Sequence, residues 1–147
     1  MIEFEINQQT GDKISMLFWK KWFAKIGKAL KIKKKLQVSV GIVKEGQIRK
    51  LNKVYRGKDK ITDVLSFCEI DKNHEFVGEE TNFLGEIIIC YKQAERQAKK
   101  FGHSIVEEIE ILLVHAFLHL LGHDHEKSAK EAELMEKMQQ IILKSAN

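Results

Sequence analysis

The segment HAFLHLLGHDH, residues 115–125, holds four of the chain's six histidines and a glycine. His115 and His119 are four residues apart. On a helix that spacing places both imidazoles on one face, on successive turns, able to converge on a single ion. Gly122 can take positive φ at little steric cost, so it is placed to turn the chain and return His125 toward the same point. Three neutral imidazoles suit zinc and leave a fourth tetrahedral position for water or substrate, as in a catalytic rather than a structural site. Water in that position would have a pKa near ~7, which makes hydroxide available at neutral pH. Nickel or another divalent ion also suits three imidazoles, because affinity order alone does not choose between them.

The spacing, H-x3-H-x5-H with glycine three residues after the second histidine, is that of the metzincin zinc helix HExxHxxGxxH. A zinc protease of that kind uses the glutamate after the first histidine as general base. Here the position is Ala116, which argues against proteolysis by that route. His123 lies in the turn, as a proton carrier or a surface residue rather than a ligand.

The elements that must hold these residues follow from periodicity. IEFEI at 2–6 alternates like a half-buried strand. Residues 13–31 carry Ile14, Leu17, Phe18, Phe23, Ile26 and Leu30 at helical spacings, with Trp19 and Trp22 nearby. LQVSVGIV at 36–43 is a second strand by its β-branched content, and an amphipathic helix through Ile48, Leu51 and Tyr55 should stop near Gly57. VLSF at 64–67 and LGEIIICY at 84–91 make two more strands, with the polar DKNHEFVGEETN between them as an exposed loop. KQAERQAKKF is a helix ending at Gly102, and Ser104 with Glu107 forms a capping box that opens the helix carrying the histidines. A last amphipathic helix carries Ala132, Leu134, Met135, Met138, Ile141 and Ile142. No internal repeat or linker interrupts the pattern. Four strands and about five helices predict an α+β or α/β layered domain, and the expectation taken forward is α+β, with a four-stranded, mostly mixed sheet.

At 147 residues the chain fits one domain, 1–147, with a core of its own. Its 44% hydrophobic and 31% charged residues describe a globular protein, not a disordered one. The N-terminus lacks a basic stretch followed by a long apolar run, and ILLVHAFLHLLG is too short and too rich in histidine to span a bilayer. A cytoplasmic protein with no membrane partner is expected. Cys68 and Cys90 form no CxxC pair and are expected to be buried, reduced thiols. The net charge is +4, and eight lysines (20, 21, 25, 28, 31, 33, 34 and 35) crowd into sixteen residues. They form either a solvated helix face or a surface for a polyanion.

Three separated stretches resemble the YbeY family of zinc-dependent bacterial endoribonucleases. LNKVYRGKDKITDVLSF at 51–67 is similar to the family's LN-x2-YR-x-KD-x2-TDVLSFP segment, LGEIII at 84–89 to its LGDI strand, and HAFLHLLGHDH to its HGxLHLxGYDH motif. Together they cover about residues 36–135. The chain departs from the pattern at Ala116 for glycine, His123 for tyrosine, Glu86 for aspartate, and Ile61 and Cys68 for prolines. None of these removes a proposed ligand. Ala116 could narrow the cleft, and His123 could alter the pH profile.

The resemblance implies a four-stranded sheet packed with helices, zinc on His115, His119 and His125, and single-stranded RNA as substrate. It further implies a role in rRNA maturation, at the 3′ end of 16S rRNA, and in ribosome quality control, with ribosomal subunits as partners and no DNA. It also singles out Arg56, whose guanidinium could neutralise charge building on phosphate oxygens. The other reading of Arg56 is a helix-end residue capping carbonyls or pairing with Asp59. Asp63 and Ser66 are further catalytic candidates, although Asp63 could only fix the turn and Ser66 only pack. Water and the neighbouring 2′-hydroxyl are both open as nucleophile, and the general base is unassigned. The rival functions are a non-catalytic zinc-containing ribosome assembly factor and a metallohydrolase of another substrate class.

Overall fold

The computed structural model describes residues 1–68 and 82–145. The elements run β1 (Ile2–Gln8), α1 (Met16–Ala29), β2 (Leu36–Val43), α2 (Glu45–Arg56), β3 (Val64–Cys68), β4 (Phe83–Cys90), α3 (Tyr91–Phe101), α4 (Ile105–Leu120) and α5 (Ala129–Lys144). The expected loop at 71–82 lies outside the described residues except for Asn82.

The strands form one mixed sheet in the order β1-β2-β4-β3, in which β1, β2 and β4 are parallel and β3 runs antiparallel along β4. The run IIIC in β4 explains the layering. A strand covered on both faces reads as a continuous apolar run rather than an alternating one. Ile87 and Ile89 enter the main core with α1, α4 and α5, whereas Ile88 and Cys90 enter a smaller cluster with Leu65 and Ile48 of α2. On β3 the alternation puts Val64 and Cys68 against the main core and Leu65 and Phe67 in the smaller one, so Ser66 shares the α4 side with Val64 and Cys68.

The central element is α4. Its capping box forms as expected, with Glu107 N donating to Ser104 Oγ (3.1 Å) and Ser104 N donating to Glu107 Oε1 (3.2 Å). Beyond the cap the helix is buried nearly all round, from Glu108 and Ile109 to Leu118 and Leu120. A helix apolar on every side belongs inside a domain, between layers rather than on top of one. Two of the expected apolar stripes are narrower than their sequences suggest. Leu17 of α1 and Leu134 and Ile141 of α5 face outward, because the turns that touch the core present Trp19, Trp22, Phe23 and Ile26 in α1, and Met135, Gln139 and Ile142 in α5.

Gly85 lets α4 close onto the sheet. The β2–β4 register shifts beside it, at Gln37/Val38. A Cβ at residue 85 would collide with the Phe67 carbonyl oxygen and lie 2.7 Å from Leu120 Cδ2, on the last turn before the histidine loop. Gly85→Ala should therefore cost about 2 kcal/mol or more, as overpacking does. In a chain of this size that lowers Tm by about 6 °C. A thermal melt unchanged from wild type would contradict the close approach.

Candidate metal centre

The end of α4 makes the site. Gly122 N donates to His119 O (2.9 Å) and His123 N to Leu118 O (3.1 Å), the paired bonds of a Schellman turn, with Gly122 at φ 99°. Glu126 N then donates to Asp124 Oδ1 (2.9 Å), which folds the chain on either side of His125. The loop brings His125 back to the two helix histidines. The ring centroids of His115, His119 and His125 form a triangle with sides of 4.9, 5.1 and 5.2 Å.

One ligand atom from each ring lies within 4.8 Å of the others, so the three histidines could hold a metal ion. His119 Nε2 and His125 Nδ1 are 3.1 Å apart. Two nitrogens bound tetrahedrally at zinc's usual bond length are about 3.4 Å apart, so the donor set fits such an ion with little movement.

Gln139 of α5, nearly buried, fixes the third ring: its Oε1 accepts from His115 Nδ1 at 2.9 Å. An amide oxygen only accepts, so Nδ1 carries the proton and Nε2 keeps its lone pair for an ion. The imidazole of His119 is held below the usual range, first by burial and then by the neighbouring His115 and His125, with Arg56 adding to the effect. That keeps it neutral, the form that ligates.

The triad lines a cavity of about 610 Å³. Arg56 stands in its wall, and its Nη2 donates to Ser66 O at 2.8 Å. Arg56 does not pair with Asp59, whose carboxylate is taken by Arg49 at 2.9 Å and held below the usual carboxylate range by it. Ser66 and Asp63 line the same cavity. The Asp63 carboxylate is engaged within the protein: Oδ1 accepts from Val64 N (2.7 Å) and Oδ2 from Gln97 Nε2 (3.3 Å), which fixes the entry into β3. The Ala116 side chain is almost wholly buried where it adjoins the cavity, and His123 lines it outside the triad.

Several residues here escaped the sequence reading. None of the eight crowded lysines lines the cavity; among the described residues its ammonium groups come from Lys58, Lys60 and Lys127. The lysine-rich segment begins in α1, which stacks on β1 through Phe23 and Phe4, while the cavity opens at β3. Three strand spacings, about 14 Å, separate those two edges of the sheet. Cys90 is buried as expected, but Cys68 is only partly so and lines the cavity, its Sγ bonded to Leu120 O at 3.4 Å. Gln139 left a faint signal: a polar residue four after Met135 and three before Ile142, inside an apolar stripe.

The family model described as "Endoribonuclease YbeY" matches residues 3–147. The chain belongs to the YbeY family. Among its relatives, the "Endoribonuclease YbeY" of Staphylococcus saprophyticus is 40% identical over 129 residues, covering 82% of this chain and 84% of the relative. That of Aquifex aeolicus is 44% identical over 108 residues, covering 74% and 69%. A solution structure of a Thermotoga maritima protein is similar over 97% of this chain and 89% of that one, with a TM-score of 0.59 at 26% identity. The YbeY-like stretches of this sequence thus lie where they meet in space: YRGKD at the end of α2, TDVLSF along β3, LGE beneath Leu120, and the histidine segment above them.

Two outcomes follow from the geometry. Gln139→Leu removes the acceptor that orients His115 and should weaken metal affinity roughly 10- to 100-fold. Competition against a chromophoric chelator measures it, and unchanged affinity would show that Gln139 does not set the ring. In the metal-free protein, His119 loses its proton at lower pH folded than unfolded. Its stabilising effect is therefore present above the ordinary imidazole value of 6.5 and is lost as pH falls from there through the lowered folded value. Between about pH 7.5 and 5.5, the Tm of His119→Gln should fall less than that of wild type.

Proposed function

We propose that this chain is a zinc-dependent endoribonuclease that cuts phosphodiesters in single-stranded RNA, acting as one domain over residues 1–147. The observation that carries the proposal is the convergence of three imidazoles in a cavity whose wall also presents Arg56 and three lysines. The naming of its relatives as endoribonucleases supports the same activity.

His115, His119 and His125 are the proposed ligands. Zinc held by these three imidazoles would supply Lewis acidity and an activated water near neutral pH. Arg56 is anchored through a single N–H to Ser66 O, and it makes no other hydrogen bond among the described residues. Its remaining N–H groups can hold phosphate oxygens and offset the charge that builds on them. Asp63 serves by positioning β3, whose backbone holds Arg56 in place, and Ser66 anchors Arg56 directly through its carbonyl. Lys58, Lys60 and Lys127 face the phosphates on either side of the cut. A glutamate base of the protease kind is absent from α4 at Ala116, which favours a phosphodiester over a peptide substrate.

The proposed setting is the cytoplasm, where the enzyme would act on rRNA at the 3′ end of the 16S molecule and in ribosome quality control, with ribosomal subunits as partners. Neither DNA nor membrane enters the proposal. No described helix is long and apolar enough to cross a membrane.

Arg56→Ala should lower kcat on single-stranded RNA by roughly 10²- to 10³-fold while leaving metal content and Tm as in wild type. His119→Ala should lose both metal and activity. Undiminished cleavage by both folded variants would sink the catalytic proposal in favour of an assembly factor. The product ends identify the nucleophile, since a 2′,3′-cyclic phosphate marks attack by the neighbouring 2′-hydroxyl.

A further inference from the structure

A second cavity, of about 620 Å³, opens between α3 and α4. Asp63 and His115 line it as well as the first, so the two cavities adjoin across these two residues. The buried polar groups in its lining are internally satisfied. The buried Glu108 carboxylate is bound by His103 Nε2 (2.8 Å) and by Gln97 Nε2 (3.1 Å), and the same Gln97 amide reaches Asp63.

The rim is different in character. Phe101, the last residue of α3, lines the cavity yet is 61% exposed. The Lys100 ammonium lies 5.8 Å from the Phe101 ring centroid, and the His103 ring lies 6.1 Å away, tilted by 31°. Arg96 stands on the same rim, held by Glu45 at 2.7 Å, while Lys100 has no ion-pair partner among the described residues. An isolated exposed aromatic is ordinary on a protein surface. Here the aromatic lines a cavity that also reaches His115 of the triad, with cations beside it. An exposed π face next to positive charge is how single-stranded nucleic acid is held without reading its sequence.

We infer that this second cavity receives a nucleotide of single-stranded RNA flanking the scissile phosphate. Its base stacks on Phe101, and its phosphate lies against Lys100 and Arg96. The inference rests on the endoribonuclease function proposed above and adds a path for the strand: across the centre, from the Arg56 cavity into the α3–α4 cavity.

The test measures binding of zinc-loaded protein to a cleavage-resistant single-stranded 2′-O-methyl RNA of about twelve nucleotides, by fluorescence anisotropy. Phe101→Ala should raise Kd roughly 5- to 100-fold, and Phe101→Trp should restore it. With cleavable RNA the same loss should appear in KM while kcat holds. Tm should be unchanged, because the ring is largely exposed. Wild-type affinity in Phe101→Ala overturns the inference, and so does an equal loss for a blunt duplex, which offers no free base face along its length. The two proposals fail separately. A wild-type protein that binds through Phe101 without cutting overturns the nuclease and sustains the platform, whereas cutting with no dependence on Phe101 does the reverse.

Discussion

Almost everything about the site depends on the burial of α4. A helix enclosed on most sides has little freedom to rotate or slide, because either motion would open voids against β3, β4, α3 and α5. His115 and His119 therefore have a settled direction before any ion arrives. Gly85 contributes at the lower end by letting Leu120 sit directly on the sheet, and Gly122 contributes at the exit by ending the helix one residue after its cap. Between them they set the point from which His125 turns back.

The polar groups around this apolar scaffold divide into those that hold and those that face outward. Gln139, Gln97, Glu108 and Asp63 are tied to protein partners, and they fix ring tautomers, helix corners and the start of β3. Arg56, Lys58, Lys60 and Lys127 face the cavity. The division matters physically because a buried polar group without a partner is costly, whereas a cation at an open cavity keeps its hydration until a phosphate replaces it. The antiparallel edge strand β3 stands between the two sets, with Asp63 at its entry and the Ser66 carbonyl holding the arginine.

Much of this was legible in the sequence. β2 begins and ends where its β-branched run does, the Ser104–Glu107 box caps α4, and α2 and α3 end at Gly57 and Gly102. These features are local: capping, glycine and alternation act over a few residues. The features that the sequence left open or hid depend on distant partners. Leu134 and Ile141 share the helical period of α5 yet face solvent, and the lysine cluster, conspicuous in the sequence, belongs to the opposite edge of the sheet from the cavity. Gln139 was overlooked because its only unusual property, being polar in an apolar stripe, acquires meaning only beside His115.

The sequence by itself determined the elements, the family resemblance and the histidine triad, since helical period and a single glycine dictate how residues ten apart can meet. Only the tertiary structure decided which cations line the cavity, which amide orients His115, that Arg56 is held by β3 rather than by Asp59, and that two cavities share Asp63 and His115 in their walls. The hydrogen bonds among these features join residues 10 to 34 apart, as between Arg56 and Ser66 or between Asp63 and Gln97, and the cavity walls join residues further apart still. They are set by how layers pack, and no local period encodes packing.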